Sequence, residues 1–126
     1  MPGPREYIGV YHADGGPVGE VKYVVGKFLG RAHCALCDIT HSPVRRRPQW
    51  DAMVAGLGAP FVLLHLNEMP ADVAAVVATS GSPVVLGRTT DRQLHVLLGP
   101  DELDSMHGSV SEFAAALSRA ASEVDS

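Results

Sequence analysis

The sequence predicts an α/β fold in a single domain, and three observations lead to this prediction. Segments with the composition of β-strands alternate with segments whose apolar residues recur at helical spacing. The chain has 126 residues, enough for one hydrophobic core, and 46% of them are hydrophobic against 19% charged. No apolar run reaches the roughly 18 residues that a membrane-spanning helix needs. We therefore expect one globular domain over residues 1–126, ordered over about 6–120.

The first elements are a strand and a helix. Residues 6–12 (EYIGVYH) are rich in β-branched and aromatic side chains and end at the turn cluster 13–17, which predicts a strand. From Val18 to Leu29 the apolar residues recur at helical spacing, and Gly30 follows where a C-cap would stand. This segment therefore predicts the first helix.

Residues 32–40 fit either a short buried strand or a helix. A helix would carry Cys34, Cys37 and His41 along one side, because residues three and four apart share a helical face. A strand would point Cys34 and Cys37 to opposite faces, because its side chains alternate. Both alternatives stay open, and only the first lets the two sulfurs meet.

The second half of the chain continues the alternation. Apolar spacing from Trp50 to Leu57 predicts a second helix, and the apolar run 61–66 predicts a fully buried central strand. Pro70 opens a third helix over 71–79. Its inward residues are Val73, Val76 and Val77.

The last elements are a hairpin and a terminal helix. Gly81-Ser82-Pro83 ends the third helix, and residues 84–88 and 93–98 predict two hairpin strands around the turn 89–92. The capping-box pattern Ser109–Glu112 opens a last helix. Its buried residues are predicted to be Val110, Phe113 and Leu117, and residues 118–126 are expected to fray.

Reactive side chains are concentrated in residues 33–41 (HCALCDITH). Both cysteines of the chain, two of its six histidines and one carboxylate lie within these nine residues. The spacing Cys-x-x-Cys suits a dithiol that closes as a disulfide, and it also suits a metal site. Paired cysteines in a cytosolic protein are more often catalytic, redox-sensing or metal-bound than structural.

In the redox interpretation Cys34, the first cysteine of the motif, attacks a disulfide and Cys37 resolves the mixed disulfide. His41 and Asp38 would assist proton transfer. A positive field from nearby basic side chains would favour the thiolate. The side chains that supply this field are Arg31, His33 and His41.

In the metal interpretation, thiolate and imidazole ligands suit Zn²⁺ or copper. The candidate ligands are Cys34, Cys37 and His41 for three positions, with His33, Asp38 or His65 for the fourth. A third interpretation has the two thiols buried as small apolar side chains that only fill the core of an interaction module. The sequence alone does not choose among the three.

The order of elements resembles the thioredoxin-like fold, and the closest local match is Gly81-Ser82-Pro83 before an apolar strand. The resemblance implies a central four- to five-stranded mixed sheet with helices on both faces. It also implies that Pro83, in a position where the family usually has a cis-proline, shapes a rim for a protein or small thiol or disulfide partner. The ends of two parallel strands, near His12 and near residues 65–68, would lie on that rim.

The chain departs from the family in the position of its cysteines. Thioredoxins carry Cys-x-x-Cys after the second strand, at the N-terminus of a long helix. If residues 32–37 form the second strand, that position falls nearer residues 41–44, beyond Cys37.

Charge and motifs argue against several classes of partner. The net charge of −4 gives no generally basic surface for nucleic acid, and no glycine-rich phosphate-binding motif occurs. Residues 1–6 lack the apolar core of a signal peptide, so a cytoplasmic location without membrane attachment is expected. The oligomeric state is left open.

Overall fold

A computed structural model describes residues 4–12, 35–40 and 48–124 of the chain. Within these ranges there are four strands, five α-helices and one 3₁₀ turn. They are β1 Glu6–Val10, α1 Ala35–Thr40, α2 Pro48–Ala55, β2 Phe61–Leu64, the 3₁₀ turn Leu66–Glu68, α3 Ala71–Ser80, β3 Val84–Arg88, β4 Leu94–Leu98, α4 Pro100–Asp104 and α5 Val110–Ser122. The helix predicted from Val18 to Leu29 lies outside the described residues.

The four strands form one mixed sheet in the order β2-β1-β3-β4. β1 runs parallel to β2, with Val10 beside Leu64, and antiparallel to β3, with Val10 opposite Val84. β3 and β4 form an antiparallel hairpin with a register shift at Val85/Leu86. The predicted α/β fold with a mixed sheet is confirmed.

Helices cover both faces of the sheet because the side chains of each strand alternate. On one face, Ile8, Val10, Val84 and Leu86 pack with Val73 and Val77 of α3. On the other, Tyr7, Tyr11, Val85 and Leu97 pack with side chains from α1, α2, α4 and α5. The sheet therefore separates two hydrophobic clusters.

An aromatic group joins three elements on the second face. Trp50 of α2 is 1% exposed and lies edge-on to Phe61 of β2, with 5.0 Å between ring centroids. Phe113 of α5 lies 5.1 Å from Trp50 and 6.3 Å from Phe61. Such pairs each add about 0.5–1.5 kcal/mol beyond the area that they bury.

The prediction that residues 61–66 form a fully buried central strand is wrong. β2 ends at Leu64 and lies at one end of the described sheet, where Val62 is 38% exposed. Phe61 and Leu63 face one cluster and Leu64 contacts the other. All four residues are apolar, so the sequence shows no alternation between the inner and outer faces.

Several local predictions are confirmed. Helix α3 covers the predicted 71–79 and one residue more, and the hairpin strands are those predicted to within one residue. The Ser109 hydroxyl accepts a hydrogen bond from the Glu112 backbone N–H at 3.2 Å, as an N-cap does. No described helix has the length and apolarity to cross a membrane.

The C-terminal part differs from the sequence prediction in two ways. Residues 118–126 were expected to fray, but α5 continues to Ser122, because Leu117 and Ala121 are buried on the same side of the helix. Helix α4 was not predicted. It begins with Pro100 at its first position after Gly99, which is a recognised helix start, and it buries Leu103 completely.

Candidate functional site

A candidate site lies at the edge of the sheet where β1 and β2 end and β3 begins. Val10 pairs with both Leu64 and Val84. The segments that follow β1 and β2 and the segment that precedes β3 are therefore neighbours. We call residues 11–12, 65–68 and 82–83 the rim. The prediction that the strand ends near His12 and near residues 65–68 share one edge with Pro83 is confirmed.

His12 and Ser82 meet on the rim. His12 Nδ1 lies 2.8 Å from Ser82 Oγ. The β1–β3 register pairs Glu6 with Arg88 and Val10 with Val84, and two further antiparallel steps bring position 12 opposite position 82. This pair is therefore a cross-strand contact that continues the sheet beyond its last ladder residues.

The turn before Ser82 depends on glycine. Gly81 ends α3 with φ 81°, a left-handed conformation that disfavours residues with a Cβ. Pro83, which the resemblance to the thioredoxin-like fold places at the site, is buried directly before β3, and the Ser82-Pro83 peptide bond is cis. The turn directs the Ser82 side chain towards the end of β1.

Tyr11 and His65 form a second contact on the rim. The parallel register places Val10 beside Leu64, and the Tyr11 N–H donates to the Leu64 carbonyl at 2.9 Å, which continues the register by one step. The rings of Tyr11 and His65 are 5.0 Å apart and tilted by 50°. The His65 ring therefore has one side against an aromatic ring.

Glu68 fixes the orientation of His65. Its Oε1 atom lies 2.7 Å from His65 Nδ1 and accepts a 2.7 Å hydrogen bond from the His65 backbone N–H. The backbone hydrogen bond and then the side-chain one hold the Glu68 pKa below its ordinary value. With Nδ1 engaged, Nε2 is the ring nitrogen left for other chemistry. Sequence reasoning missed Glu68, although its place three residues after a helix N-cap was a usable signal.

Helix α1 is joined to the rim through Tyr11. The Tyr11 hydroxyl lies 3.0 Å from Thr40 Oγ1, and both side chains are buried. Leu36 and Ile39 of the same helix are fully buried in the cluster that contains Tyr11. Helix α1 therefore packs on the same side of the sheet as the Tyr11 side chain.

The residues of the motif are only partly described. Cys37 and Asp38 lie in α1, so the helical alternative is right for residues 35–40 and the strand is wrong there. Only the backbone of these two residues is described. Cys34, His33 and His41 lie outside the described residues, and so does any contact between the two sulfurs.

The described part of the chain contains no group of three or more His, Cys, Asp or Glu side chains that could hold a metal ion. Of the predicted ligands, His65 is the one whose side chain is described, and its Nδ1 atom contacts Glu68. The side chains of the other candidate ligands are not described. The metal interpretation therefore stays a prediction.

Comparison of the chain with models of protein families, with curated proteins and with solved structures found no match in any of the three. The functional interpretation therefore depends on the residues and the geometry of the rim.

Proposed function

We propose that the protein is thioredoxin-like and that Cys34 and Cys37 cycle between a dithiol and a disulfide. The observation that carries this proposal is the attachment of α1 to the rim. Cys37 lies in α1, and Thr40, three residues later, contacts Tyr11 at the end of β1. The second cysteine is therefore carried by a helix whose last residue contacts Tyr11, at the end of β1.

The order of elements supports the thioredoxin-like assignment. Parallel β1 and β2 are followed by α3, by the β3–β4 hairpin and by the closing helix α5. This is the order on which the resemblance rests, with a proline directly before the hairpin. Helices on both faces of a mixed sheet are also what the resemblance implies.

The position of the cysteines relative to the family changes from the one first expected. Residues 35–40 are helical and β1 pairs directly with β2. The residues before Cys37 therefore do not form the second strand that the family has before its motif. If β1 corresponds to the strand that precedes Cys-x-x-Cys in the family, the family's motif would begin at about His12 in this chain. Cys37 of this chain instead lies in α1, whose last residue, Thr40, contacts Tyr11 on the same rim.

The proposed reaction is thiol–disulfide exchange. Cys34 attacks one sulfur of a partner disulfide as the thiolate, and the other partner sulfur leaves as a thiolate. Cys37 then attacks the Cys34 sulfur, which releases the partner as a dithiol and leaves an intramolecular disulfide. His41 and Asp38 accept and return the thiol protons, and Pro83 borders the surface on which the partner lies.

The test is a redox titration of the full chain. Equilibration in glutathione buffers, acid quenching and mass measurement after alkylation should give a two-electron transition, roughly between −120 and −270 mV as for other dithiol proteins. Cys34→Ser should abolish reduction of a model disulfide, whereas Cys37→Ser should accumulate a mixed disulfide at Cys34. Thiols that resist alkylation in the native state would overturn the proposal and leave the non-catalytic interaction module.

The second candidate function is binding of a transition metal ion. The observation that favours it is the Glu68–His65 contact, because metal-bound histidines commonly donate their other ring N–H to a carboxylate. Cys34, Cys37 and His41 would supply the other ligands, with His33 or Asp38 as substitutes. Zn²⁺ and copper suit this set of sulfur and nitrogen atoms.

Metal analysis separates the two candidates. Protein purified without chelator should carry about one equivalent of zinc or copper if the second candidate is right. The metal should be lost in Cys34→Ser and weakened in Glu68→Gln, while His95→Ala on β4 serves as a matched histidine control. Metal-free protein with a reversible dithiol would instead support the redox function.

A further inference from the structure

We propose that Ser82 and His12 form a nucleophile–base pair that hydrolyses carboxylic esters with good leaving groups. Neither residue belongs to the cysteine motif, so this activity is separate from the proposed redox function. The observation behind it is the 2.8 Å contact between Ser82 Oγ and His12 Nδ1. A serine hydroxyl within hydrogen-bond reach of an imidazole is the basic unit of nucleophilic catalysis by serine.

The sheet itself holds the two side chains together. His12 lies two residues after Val10 and Ser82 lies two residues before Val84, and Val10 and Val84 pair in the β1–β3 register. The buried Pro83 stands between Ser82 and β3. Reactive groups on the ends of packed strands keep their geometry better than groups on long loops. The pair is therefore preorganised by the pairing of β1 with β3.

The pair also lies where open α/β sheets bind ligands. β1 runs parallel to its neighbour β2 on one side, and α3 returns the chain to β3 on its other side. Ligands of such sheets bind outside the carboxyl ends of parallel strands, and the parallel strands β1 and β2 both end at this edge. His12, two residues beyond β1, is exposed at that place, and Ser82 is half-buried.

The chemistry needs no further reagent than water. Ser82 Oγ bonds to the ester carbonyl carbon while its proton passes to His12 Nδ1. The carbon–oxygen bond to the leaving group then breaks, and the leaving alcohol or phenol takes that proton from the imidazole. A water molecule, deprotonated by His12, hydrolyses the acyl-serine and restores the hydroxyl. A phenol-like leaving group suits this pair, because it departs readily.

The experiment uses p-nitrophenyl acetate and a fluorophosphonate probe on the full chain in which both cysteines are replaced by serine, so that thiols cannot react. We expect one phosphonylated residue, Ser82, located by peptide mass mapping. Ser82→Ala should abolish labelling and turnover. His12→Gln should slow both by about 10²- to 10⁴-fold, the usual contribution of a general base.

Ser80→Ala is the matched control, because Ser80 lies two residues before Ser82 and its hydroxyl donates to the Gly81 carbonyl at 3.0 Å. It should label and turn over at the rate of the parent. Circular dichroism of each variant verifies its fold, and His12→Gln provides a second test if Ser82→Ala unfolds. Labelling at another serine, or equal rates in His12→Gln and the parent, would overturn the proposal.

Discussion

The hydroxyl of Tyr11 lies 3.0 Å from Thr40 Oγ1, and this buried contact joins the end of β1 to the last residue of α1. The Tyr11 ring meanwhile contacts His65, which Glu68 holds. The Tyr11 side chain thus connects α1 with the ends of β1 and β2. This tyrosine therefore contributes, with the buried Leu36 and Ile39, to holding α1 against the sheet.

Tyr11→Phe should lower the free energy of unfolding by about 0.5–1.5 kcal/mol, the usual net contribution of a hydrogen bond. Urea unfolding monitored by fluorescence measures it, because Trp50 is the only tryptophan and is buried. The double variant that also carries Thr40→Val should lose less stability than the sum of the two single losses, because both substitutions remove the same contact.

Tyr7→Phe is the control for this prediction. Tyr7 is 6% exposed and stacks on Phe61, and none of the hydrogen bonds identified in the described residues involves its hydroxyl. The same chemical change should therefore cost clearly less at Tyr7 than at Tyr11. Equal costs at the two positions would contradict a stabilising role for the Tyr11–Thr40 contact.

Gly9→Ala should destabilise the protein by about 1–3 kcal/mol through overpacking. A Cβ at Gly9 would lie 3.0 Å from atoms of Leu63 and Phe61 and 3.1 Å from Leu36 Cδ2 of α1. Leu36 is fully buried and has little room to move away. Urea unfolding gives the stability change.

Gly56→Ala is the matched substitution, because a Cβ there would come no closer than 3.6 Å to the Met53 carbonyl oxygen. This exposed change should stay within about 0.5 kcal/mol of the parent. A Gly9→Ala variant as stable as Gly56→Ala would show that Leu63, Phe61 and Leu36 can move aside without cost.

His65→Ala should leave the Glu68 carboxyl with a pKa still below 4.5, because the hydrogen bond from the His65 backbone N–H is the largest cause of its lowering. Only the part due to the imidazole is lost. Carboxyl carbon NMR measures the titration, with Glu68→Gln to assign the resonance. A complete return to the ordinary value would mean that the imidazole alone is responsible.

Asp72→Asn should cost less than about 1 kcal/mol at pH 7, because the Asp72 side chain is 50% exposed and solvent screens its pair with Arg88. Arg88 Nη1 donates to Asp72 Oδ2 at 2.8 Å, and this bond lowers the Asp72 pKa below 3.8. The stabilisation is present above the unfolded-state value and is lost as the pH falls through the lower folded-state pKa. Urea unfolding at pH 7 and in acid should show the difference disappear.

Asp101→Asn is the control for the ion pair. Asp101 is the second residue of α4, as Asp72 is the second residue of α3, so both carboxylates have the same relation to a helix N-terminus. The excess effect at Asp72 therefore measures Arg88. Equal effects at the two positions would assign the stabilisation to the helix N-terminus instead.

The elements that sequence predicted well have strong local signals. Helix α3 lies between Pro70 and Gly81, and the hairpin is bounded by turn residues. The meeting of His12, His65 and Pro83 on one edge was also predictable, because it follows from parallel strands and not from any single residue. Local punctuation and topology were enough for these features.

The features that sequence missed depend on tertiary packing. The run FVLL has no polar residue to mark its outer face, so the exposure of Val62 could not be seen. Residues 35–40 make fewer than two helical turns, too few for their periodicity to exclude a strand. The roles of Cys34, Cys37, His33, His41 and Asp38 stay predictions, because their side chains are outside the described part.

The pairing of β1 also constrains how the chain folds. Both neighbours of this N-terminal strand, β2 and β3, come from beyond residue 60. During synthesis β1 must therefore wait, with its ladder hydrogen bonds unmade, until the C-terminal half has emerged. Contacts so distant in sequence slow folding, and we expect a fragment ending before Val84 to leave one edge of β1 open to aggregation.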